Sequence, residues 1–595
     1  MYMNRLRALT GVCCLLIGFV LNCGGDTQEQ TAQQTPVEAV FVPEIGRYGG
    51  SVTIAQTVDP KSFNVMIAQE TSTTDVLKYS FEGLTATHGV TTEVIPALAE
   101  SWEVAEDKVT WTFHLRRGVQ WFDGQSFTAD DVIFTFNQVI YNPAITSSSK
   151  DALTVEGEEF RVEKIDDYTV RIITPVPYAP FLTQVGVPIL PEHALADAVT
   201  TGKFNETWGI NTPPDQIIGT GAFKPAEFLP AQKVVLERNP NYWKKDSAGN
   251  ALPYLDEITI VIVPNQEVML LKFQAGELDR IGVRGQDYPI LKPKETEQNF
   301  TIMNDGPAFG TNFVSFNQNP GKDAQGKPFL DPKKLAWFTD VNFRRAVAHA
   351  VDKETIINNV MNGLGYPQIA AMSPAAMTFF NPDVPTYEYD LDKARKLLAD
   401  AGYHDQNGDG VLEDSQGNTV EFDLITNSGV STRENMGLII QVDLKKIGIK
   451  VNFAPIDFNA LVTKLNKSYD WEGLLLGLTG GVEPEGGRNV WVSSASLHFW
   501  NPLQESPGTE WEAEIDSLFN AGVQELDQEK RKEIYKRFQV IVAEQLPVIY
   551  TALPAYVTAV RNTIGNAKPT AYARGFHSMD EVFRKDLPET AASTN

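Results

Sequence analysis

The residues best suited to bind or transform a ligand lie between Tyr469 and Pro502, where an apolar run ends in a glycine-rich loop. The run, Leu474 to Leu478, predicts a buried strand. The loop after it carries charged and aromatic side chains: Glu483, Glu485, Arg488, Trp491, His498 and Trp500. In open α/β sheets ligands bind beyond the carboxyl ends of strands, and aromatic faces with a few polar groups line such clefts. We therefore predict that these residues bind a ligand. The alternative is a surface loop whose tryptophans belong to the core.

Catalytic motifs are the second chemistry to consider. The seven histidines are scattered, and neither an HExxH pair nor a GxSxG elbow occurs. Gly219-Thr220-Gly221 lacks the third glycine of a dinucleotide loop, and Pro328 stands where a phosphate loop starting at Gly321 needs Ser or Thr. The sequence therefore predicts a protein that is not an enzyme and needs no cofactor. A secreted hydrolase using two of the many carboxylates stays open as an alternative, because spacing alone does not identify such a pair.

An acidic turn resembles the start of a calcium-binding loop. Asp405, Asn407 and Asp409 place oxygen atoms at the first, third and fifth positions, and a glycine follows at the sixth. The twelfth position is Gln416, which lacks the bidentate carboxylate that such loops use. We predict a polar turn with no metal, and calcium at these three residues is the alternative.

Bulk composition limits the possible partners. The 595 residues carry a formal net charge of −26, so a nucleic-acid backbone would repel the chain. With 42% hydrophobic and 21% charged residues, the composition is that of a globular protein, and the length suggests two or three domains. The three cysteines all lie in the first two dozen residues. We therefore expect no disulfide and no cysteine-bound metal in the folded body.

The N-terminus has the pattern of an export signal. Two arginines precede an apolar run from Ala8 to Leu21, which is short for a membrane span. The run ends in Val20-Leu21-Asn22-Cys23-Gly24, which resembles a bacterial lipobox and implies that Cys23 becomes a lipidated N-terminus. Cleavage of an ordinary signal peptide nearby is the alternative. The polar segment Asp26–Val42 fits the lipidated form, in which it would be a flexible tether.

The stretch from Leu98 to Ile140 predicts how the first half folds. Strict alternation from Val109 to Leu115 indicates a half-buried strand. Val119–Phe122 predicts a second short strand, and Asp123-Gly124 predicts the turn that ends it. Thr128, with acidic residues directly after it, predicts the capped start of a helix.

The second half predicts an α/β lobe. Strands are expected at Val420–Ile425 and Ile449–Phe453, with a helix between them at Met436–Ile447. This order implies a parallel crossover. Residues 511–546 predict one or two amphipathic helices, and the last segment, 548–583, is expected to return to the first lobe.

The exact sequence of one segment carries more information than its predicted strands and helix require. TFHLRRGVQWFDGQSFTADDVIFTF, at Thr112–Phe136, closely resembles the segment by which family 5 extracellular solute-binding proteins are recognised. Arg238–Trp243, Pro253–Ile258 and Ala275–Asp279 follow in the order and spacing of that family. Members are the peptide, oligosaccharide and nickel receptors of ABC importers. The resemblance covers nearly all of residues 46–583.

The resemblance implies an α/β, periplasmic binding protein-like fold of the cluster C type. Two lobes would flank a hinge, and the first lobe would carry an extra inserted domain that packs against it and lies away from the cleft. The implied ranges are a signal peptide at 1–22, a tether at 23–45, lobe I at 46–93, 211–311 and 546–595, the inserted domain at 94–210, and lobe II at 312–545.

The resemblance also implies a function. The chain would be the substrate-binding lipoprotein of an ABC importer, capturing a peptide-like ligand between its lobes and delivering it to a permease whose ATPase subunits are separate chains. It would be exported to the cell envelope, in the periplasm or on the outer face of the membrane. It would be held there only by its lipid, and it would be a monomer that binds no nucleic acid. An oligosaccharide receptor, and a receptor that signals to a sensor, are the alternatives within the family.

This chain departs from the family pattern at one position that concerns the ligand. Peptide-binding members carry in this loop an aspartate that pairs with the peptide α-ammonium, and the corresponding position falls near Gly481. Glu483 or Glu485 could take its place. A neutral or carbohydrate ligand stacked on Trp491 and Trp500 is the alternative.

Overall fold

A computed structural model describes the chain from Phe41 to Leu587, apart from residues 69, 70, 146, 148, 151, 152, 156 and 496. Cys23 and most of the predicted tether lie outside the described residues. None of the helices in the described part of the chain combines the length and the apolar character that a bilayer crossing requires.

The strands of the described chain are, in order, β1 (Ser51–Gln56), β2 (Thr85–Thr87), β3 (Val94–Pro96), β4 (Ala99–Val104), β5 (Thr110–Leu115), β6 (Thr154–Val155), β7 (Glu158–Glu159), β8 (Arg161–Asp166), β9 (Thr169–Ile173), β10 (Phe223–Leu229), β11 (Lys233–Arg238), β12 (Glu257–Ile262), β13 (Arg280–Gly282), β14 (Phe300–Pro307), β15 (Thr311–Phe316), β16 (Gly365–Pro367), β17 (Glu421–Asn427), β18 (Lys450–Ile456), β19 (Gly473–Leu478), β20 (Val548–Tyr550), β21 (Ala552–Arg561), β22 (Ile564–Gly565), β23 (Pro569–Thr570), β24 (Gly575–Phe576) and β25 (Phe583–Arg584).

The α-helices are α1 (Thr71–Leu77), α2 (Ala129–Ile133), α3 (Phe181–Gln184), α4 (Glu192–Thr200), α5 (Gln266–Gln274), α6 (Tyr288–Leu291), α7 (Pro332–Thr339), α8 (Val341–Ala350), α9 (Lys353–Val360), α10 (Leu391–Asp400), α11 (Ser431–Lys446), α12 (Phe458–Thr463), α13 (Arg488–Trp491), α14 (Glu510–Gln524) and α15 (Gln528–Gln545). A π-helical turn, Phe134–Ile140, continues α2, and another, Lys464–Ser468, continues α12.

The first half of the chain builds two four-stranded sheets. One has the order β1-β12-β11-β10, and the other, β4-β5-β9-β8, comes from the segment predicted as the inserted domain. In β5 the alternation is confirmed, because Trp111, Phe113 and Leu115 are buried while the residues between them are partly exposed. The two sheets share one large hydrophobic core.

The capped helix predicted after this strand is confirmed. Thr128 accepts a hydrogen bond from the Asp130 amide, and the Asp131 carboxylate accepts one from the Thr128 amide, which completes a capping box. Gly124 has the positive φ expected of the turn. The short strand predicted at Val119–Phe122 is wrong, since the turn allows only a single bridge between Gln120 and Ser126.

The second half builds a five-stranded mixed sheet with the order β18-β17-β19-β15-β20. The predicted parallel crossover is confirmed: β17 and β18 are parallel and α11 connects them. One face packs Val314 and Leu475 against α8, α10 and α11. The opposite face packs Phe313 and Leu474 against α14 and α15. The sheet therefore lies between two helical layers, as in doubly wound α/β folds.

The predicted inserted segment reaches further than the resemblance implies. The Ala179 amide donates to the Val523 carbonyl oxygen at 2.6 Å, and Val523 shares the hydrophobic core of the first half. Because Val523 lies in α14, this contact joins residues 94–210 to the second half of the chain. The segment is thus not confined to contacts with the first half.

Candidate functional site

Two short connections join the first half to the five-stranded sheet. β14 leads through Ala308–Gly310 into β15, and β20 leads through Thr551 into β21, which pairs with β14. The connections lie side by side, since the Ala308 amide donates to the Pro554 carbonyl at 3.0 Å and the Thr551 amide donates to the Asn312 carbonyl at 2.9 Å. Hinges between packed units consist of a few loop or element-terminal residues, and these connections are of that kind.

The edge of the five-stranded sheet next to the hinge is where its parallel strands end. β17 ends at Asn427, and β19 ends at Leu478, which pairs with Thr311 at the start of β15. Three residues separate the end of β17 from the start of helix α11, and no side chain caps the first amides of this helix. Carboxyl ends of strands and open helix N-termini are the usual ligand-binding edge of an α/β sheet.

The loop after β19 packs directly on the hinge. A Cβ atom at Gly480 would lie 2.1 Å from the carbonyl oxygen of Phe309, so only glycine fits there. The ring of Phe309 contacts the ring of Tyr572 at a centroid distance of 6.2 Å. Phe309 therefore links the loop of the second half to a surface of the first half.

That surface opens into a pocket of about 390 Å³, of which Tyr572 forms one wall. Its aromatic lining includes Tyr79, Phe223, Tyr242 and Phe576. The charged side chains inside are largely satisfied, because Lys244 pairs with Asp580 at 2.7 Å. Two imidazole rings, His88 and His577, lie 4.2 Å apart, and burial lowers the pKa of His577 to about 4. The pocket thus presents aromatic faces and few unpaired charges near neutral pH.

Glu82 is a buried carboxyl group of this pocket whose charge changes near neutral pH. Burial raises its pKa to about 7, although the Trp243 Nε1–H and the Tyr242 hydroxyl donate to it at 3.1 and 3.2 Å. Between about pH 4.5 and pH 7, Glu82 is therefore protonated in the folded protein but ionised in the unfolded chain.

We expect the stability that protonated Glu82 contributes to be fully present below about pH 4.5 and to be lost as pH rises through 7. In the wild type this effect should lower the free energy of unfolding by about 2–3 kcal/mol at most between pH 5 and pH 8, and Glu82→Gln should remove that decline. Chemical denaturation across this pH range measures it. Glu106→Gln, at an exposed site, is the control and should keep the wild-type slope. Equal slopes in all three proteins would contradict the assignment.

Glu483, predicted as a ligand-binding residue, is engaged inside the protein. Its carboxylate forms a bidentate pair with Arg531 of α15, with 2.8 Å between Oε2 and Nη1. Its Oε1 also accepts the Glu485 amide at 3.2 Å, which caps the turn Pro484–Gly487. The Glu483 carboxylate is therefore neutralised within the protein by Arg531.

Glu485 and Arg488, also predicted from the sequence, are paired with each other. Arg488 further donates to the Asn520 side chain at 3.2 Å, which attaches the loop to α14. Burial raises the pKa of Glu485 to about 7, with Arg488 acting in the opposite direction. The structure thus brings Glu483, Glu485 and Arg488 together, but in contacts with the helices behind the loop.

Trp491, His498 and Trp500 are also close together, and they lie in the core. The indoles are 5.6 Å apart, and Trp491 contacts Phe538 at 5.1 Å. His498 is fully buried, with Nε2 3.1 Å from a carboxylate oxygen of Glu512. This position differs from the cleft lining that the sequence predicts, because α14 and α15 fold over the rings and exclude solvent.

The acidic turn places its oxygen atoms on its own backbone. Asp405 accepts the amides of Gly408 and Gly410, Asn407 accepts that of Asp409, and Asp409 accepts that of Val411. Within the described ranges, no group of three or more metal-ligating side chains is placed to hold an ion. These side chains therefore serve to close the turn.

Arg433, at the hinge edge, was not predicted from the sequence. Arg433, Met436, Ile440 and Leu444 recur on one face of α11, and the last three are buried in the core. The charged residue thus occupies the first position of an apolar stripe. A helix predicted to begin at Met436 leaves it out, whereas a start at Ser431 would have drawn attention to it.

The architecture is that of a two-lobed periplasmic binding protein. The structure of AppA from Bacillus subtilis in complex with a nonapeptide is similar, with a TM-score of 0.71 and 26% identity over 91% of this chain and 99% of that one. NikA from Brucella suis in complex with Fe(III)-EDTA shares the fold with a TM-score of 0.74 at 21% identity, over 90% of this chain and all of that one.

Residues 93–496 match the family of bacterial extracellular solute-binding proteins, family 5, and the chain belongs to this family. A probable ABC transporter-binding protein from Deinococcus radiodurans is 29% identical over 85% of this chain and 87% of its own length. The oligopeptide-binding protein AppA from Bacillus subtilis is 27% identical over 85% and 86%. The family assignment and the fold predicted from the sequence are confirmed, and these relatives bear the names of binding proteins rather than of enzymes.

Proposed function

We propose that this chain is the binding component of an ABC importer and captures a peptide-like ligand between its two lobes. The similarity to AppA, whose structure contains a nonapeptide, carries the proposal, since it extends over nearly the whole of both chains. The pocket beside Tyr572 and the sheet edge at Asn427 and Leu478 supply two walls that meet at the hinge.

The proposed mechanism is closure about the paired connections at Ala308–Gly310 and Thr551. Lobe I would comprise 46–93, 211–311 and 546–595, with 94–210 inserted, and lobe II would comprise 312–545. A ligand that contacts both walls binds the closed form more tightly than the open one, so it shifts the equilibrium toward closure. The loop at 479–487 would be part of the lobe II wall, and Trp491, His498 and Trp500 would support it from behind.

The cellular setting is part of the same proposal. The chain would be exported and held in the cell envelope through a lipid on Cys23, as a monomer that makes no contact with nucleic acid. The closed complex would dock on a permease, and separate ATPase chains would drive transport. The net charge of −26 fits a protein that stays off anionic lipid headgroups apart from its anchor.

Native mass spectrometry of the purified protein, followed by titration of ligand-free protein with peptides and with stachyose, tests this function. We expect a peptide bound at one copy per chain and released uncut. A peptide at a hundred times its Kd should stabilise the fold by about 2.7 kcal/mol, seen as a rise in Tm. Peptide cleavage would support a hydrolase instead, and a response to stachyose alone would favour the oligosaccharide alternative.

A further inference from the structure

One contact between the two proposed lobes is made by residues outside the hinge. The Ala179 amide, in the inserted segment, donates to the Val523 carbonyl oxygen of α14 at 2.6 Å. Val523 is buried among the core residues of the first half. The hinge connections are Ala308–Gly310 and Thr551, so a rotation about them moves α14 relative to Ala179. We therefore expect this contact to break when the lobes separate.

Tyr178 extends the contact toward the 479–487 loop. Its side chain is buried, and burial raises the pKa of its hydroxyl group. The carboxylates of Glu485 and Glu483 raise this pKa further. Because nearby negative charges shift a pKa in this direction, the two carboxylates lie close to the inserted segment. The loop that carries them is therefore part of the contact between the lobes.

Glu485 is buried in this contact with one oxygen atom unsatisfied. Its Oε1 is paired with Arg488, whereas its Oε2 is shielded from solvent and has no hydrogen-bond partner among the described residues. The neighbouring Glu483 is instead held by both nitrogens of the Arg531 fork. A buried carboxylate oxygen without a donor is unfavourable, because burial has removed the water that would hydrate it. Protonation of Glu485 lowers this cost.

The charged and titratable groups that face Glu485 come from its own loop, from α15 and from the inserted segment: Arg488 and Glu483, Arg531 and Tyr535, and Tyr178. Burial is the largest influence and raises the pKa of Glu485 to about 7, against the opposing effect of Arg488. When the lobes separate and water reaches the loop, this pKa should fall toward its ordinary value of 4.5.

We propose that the contact of Tyr178 and Ala179 with lobe II forms only when the lobes close, and that closing binds a proton from solvent at Glu485. The inference rests on the proposed function and makes ligand binding depend on pH. Above about pH 4.5 the carboxyl group is ionised in the open form and must gain a proton to close, so acid favours the closed form. A ligand therefore binds more tightly as pH falls and is released more readily as pH rises.

The first test is calorimetry of ligand-free protein with alanine peptides of graded length, at pH 6 and at pH 8. The wild type should bind up to about tenfold more tightly at pH 6. Glu485→Gln cannot ionise, so it should lose this dependence and bind more tightly than the wild type at both pH values, by about tenfold or more at pH 8. The peptide ammonium group also titrates in this range, so the difference between the two proteins is the measured quantity.

Hydrogen exchange measures the contact itself. Residues 175–180 contain three prolines, so only Val176, Tyr178 and Ala179 carry exchangeable amides there. Exchange of this segment, corrected for its intrinsic pH dependence, should slow several-fold when a peptide is bound. Without peptide it should be slower at pH 6 than at pH 8 in the wild type, and Glu485→Gln should abolish that difference.

Glu505→Gln is the matched control, because Glu505 is an exposed glutamate of the same lobe. It should keep the pH dependence of the wild type in both measurements. Glu485→Gln has the shape of the protonated side chain and should unfold at no lower temperature than the wild type, so its altered binding would not reflect a loss of fold.

The same pH dependence of peptide binding in the wild type and in Glu485→Gln would overturn the inference and leave the proposed function standing. Exchange of residues 175–180 that a bound peptide does not slow would do the same. Failure of every peptide to bind the wild type would overturn the proposed function itself, and the inference with it.

Discussion

Arg531→Ala is expected to lower the free energy of unfolding by about 3–5 kcal/mol, the range for removing one partner of a buried ion pair. The side chains of Arg531 and Glu483 are only 7% and 15% exposed. Arg531 Nε also donates to the Gly522 carbonyl at 2.7 Å. The substitution would leave a buried carboxylate without a cation and a buried carbonyl without a donor. Chemical denaturation at neutral pH, compared with the wild type, measures the loss.

Arg537→Ala is the matched control for this prediction. Arg537 lies on the same helix, α15, and pairs with Glu514, but the two side chains are 46% and 42% exposed. Exposed pairs of this kind contribute about 1 kcal/mol or less. If the two alanine variants lost equal stability, the buried pair would not be what holds the 479–487 loop on α15.

The features predicted correctly from sequence depend on neighbours in the chain. The alternation in β5 follows from its two faces, the capping box at Thr128 involves residues three apart, and the crossover at α11 follows from the order of its strands. Local spacing contains enough information for such elements. The family resemblance then supplied the arrangement of the lobes, which periodicity does not contain.

The environment of the predicted site residues depends on contacts across long separations. Glu483 meets Arg531 and Trp491 meets Phe538, each a little under fifty residues away along the chain. A tryptophan in a glycine-rich loop has the same sequence pattern whether it faces a cleft or the core. Only the fold of α14 and α15 over the loop decides between these, and the sequence places no marker of it.

Arg433 was missed for a different reason, which concerns the start of a helix. Ser431-Thr432-Arg433 is polar, so hydrophobic periodicity begins only at Met436. The burial of its Nε and the open space at Gly477 become visible when α11 is placed against β19 and β15. A charged residue thus breaks the apolar pattern of α11 at this edge of the sheet, and local sequence rules are expected to fail at such positions.

Trp500→Ala is expected to destabilise the protein by about 3–5 kcal/mol, the cost of removing a large buried aromatic side chain. Trp500 is 1% exposed and contacts Trp491, His498 and Phe499 at ring distances of 5.6, 4.1 and 5.3 Å. The same substitution would be nearly neutral for stability if the ring stood in an open cleft to stack on a ligand. Chemical denaturation without ligand therefore separates a core position from a cleft position.

Trp511→Ala provides the comparison, since Trp511 packs against the same core cluster but is partly exposed at the start of α14. It should lose clearly less stability than Trp500→Ala, because less apolar surface returns to water. Peptide affinity, measured well below the unfolding temperature, should fall in Trp500→Ala only through increased mobility of the 479–487 loop. A Trp500→Ala protein of wild-type stability that fails to bind would instead place the indole in direct contact with the ligand.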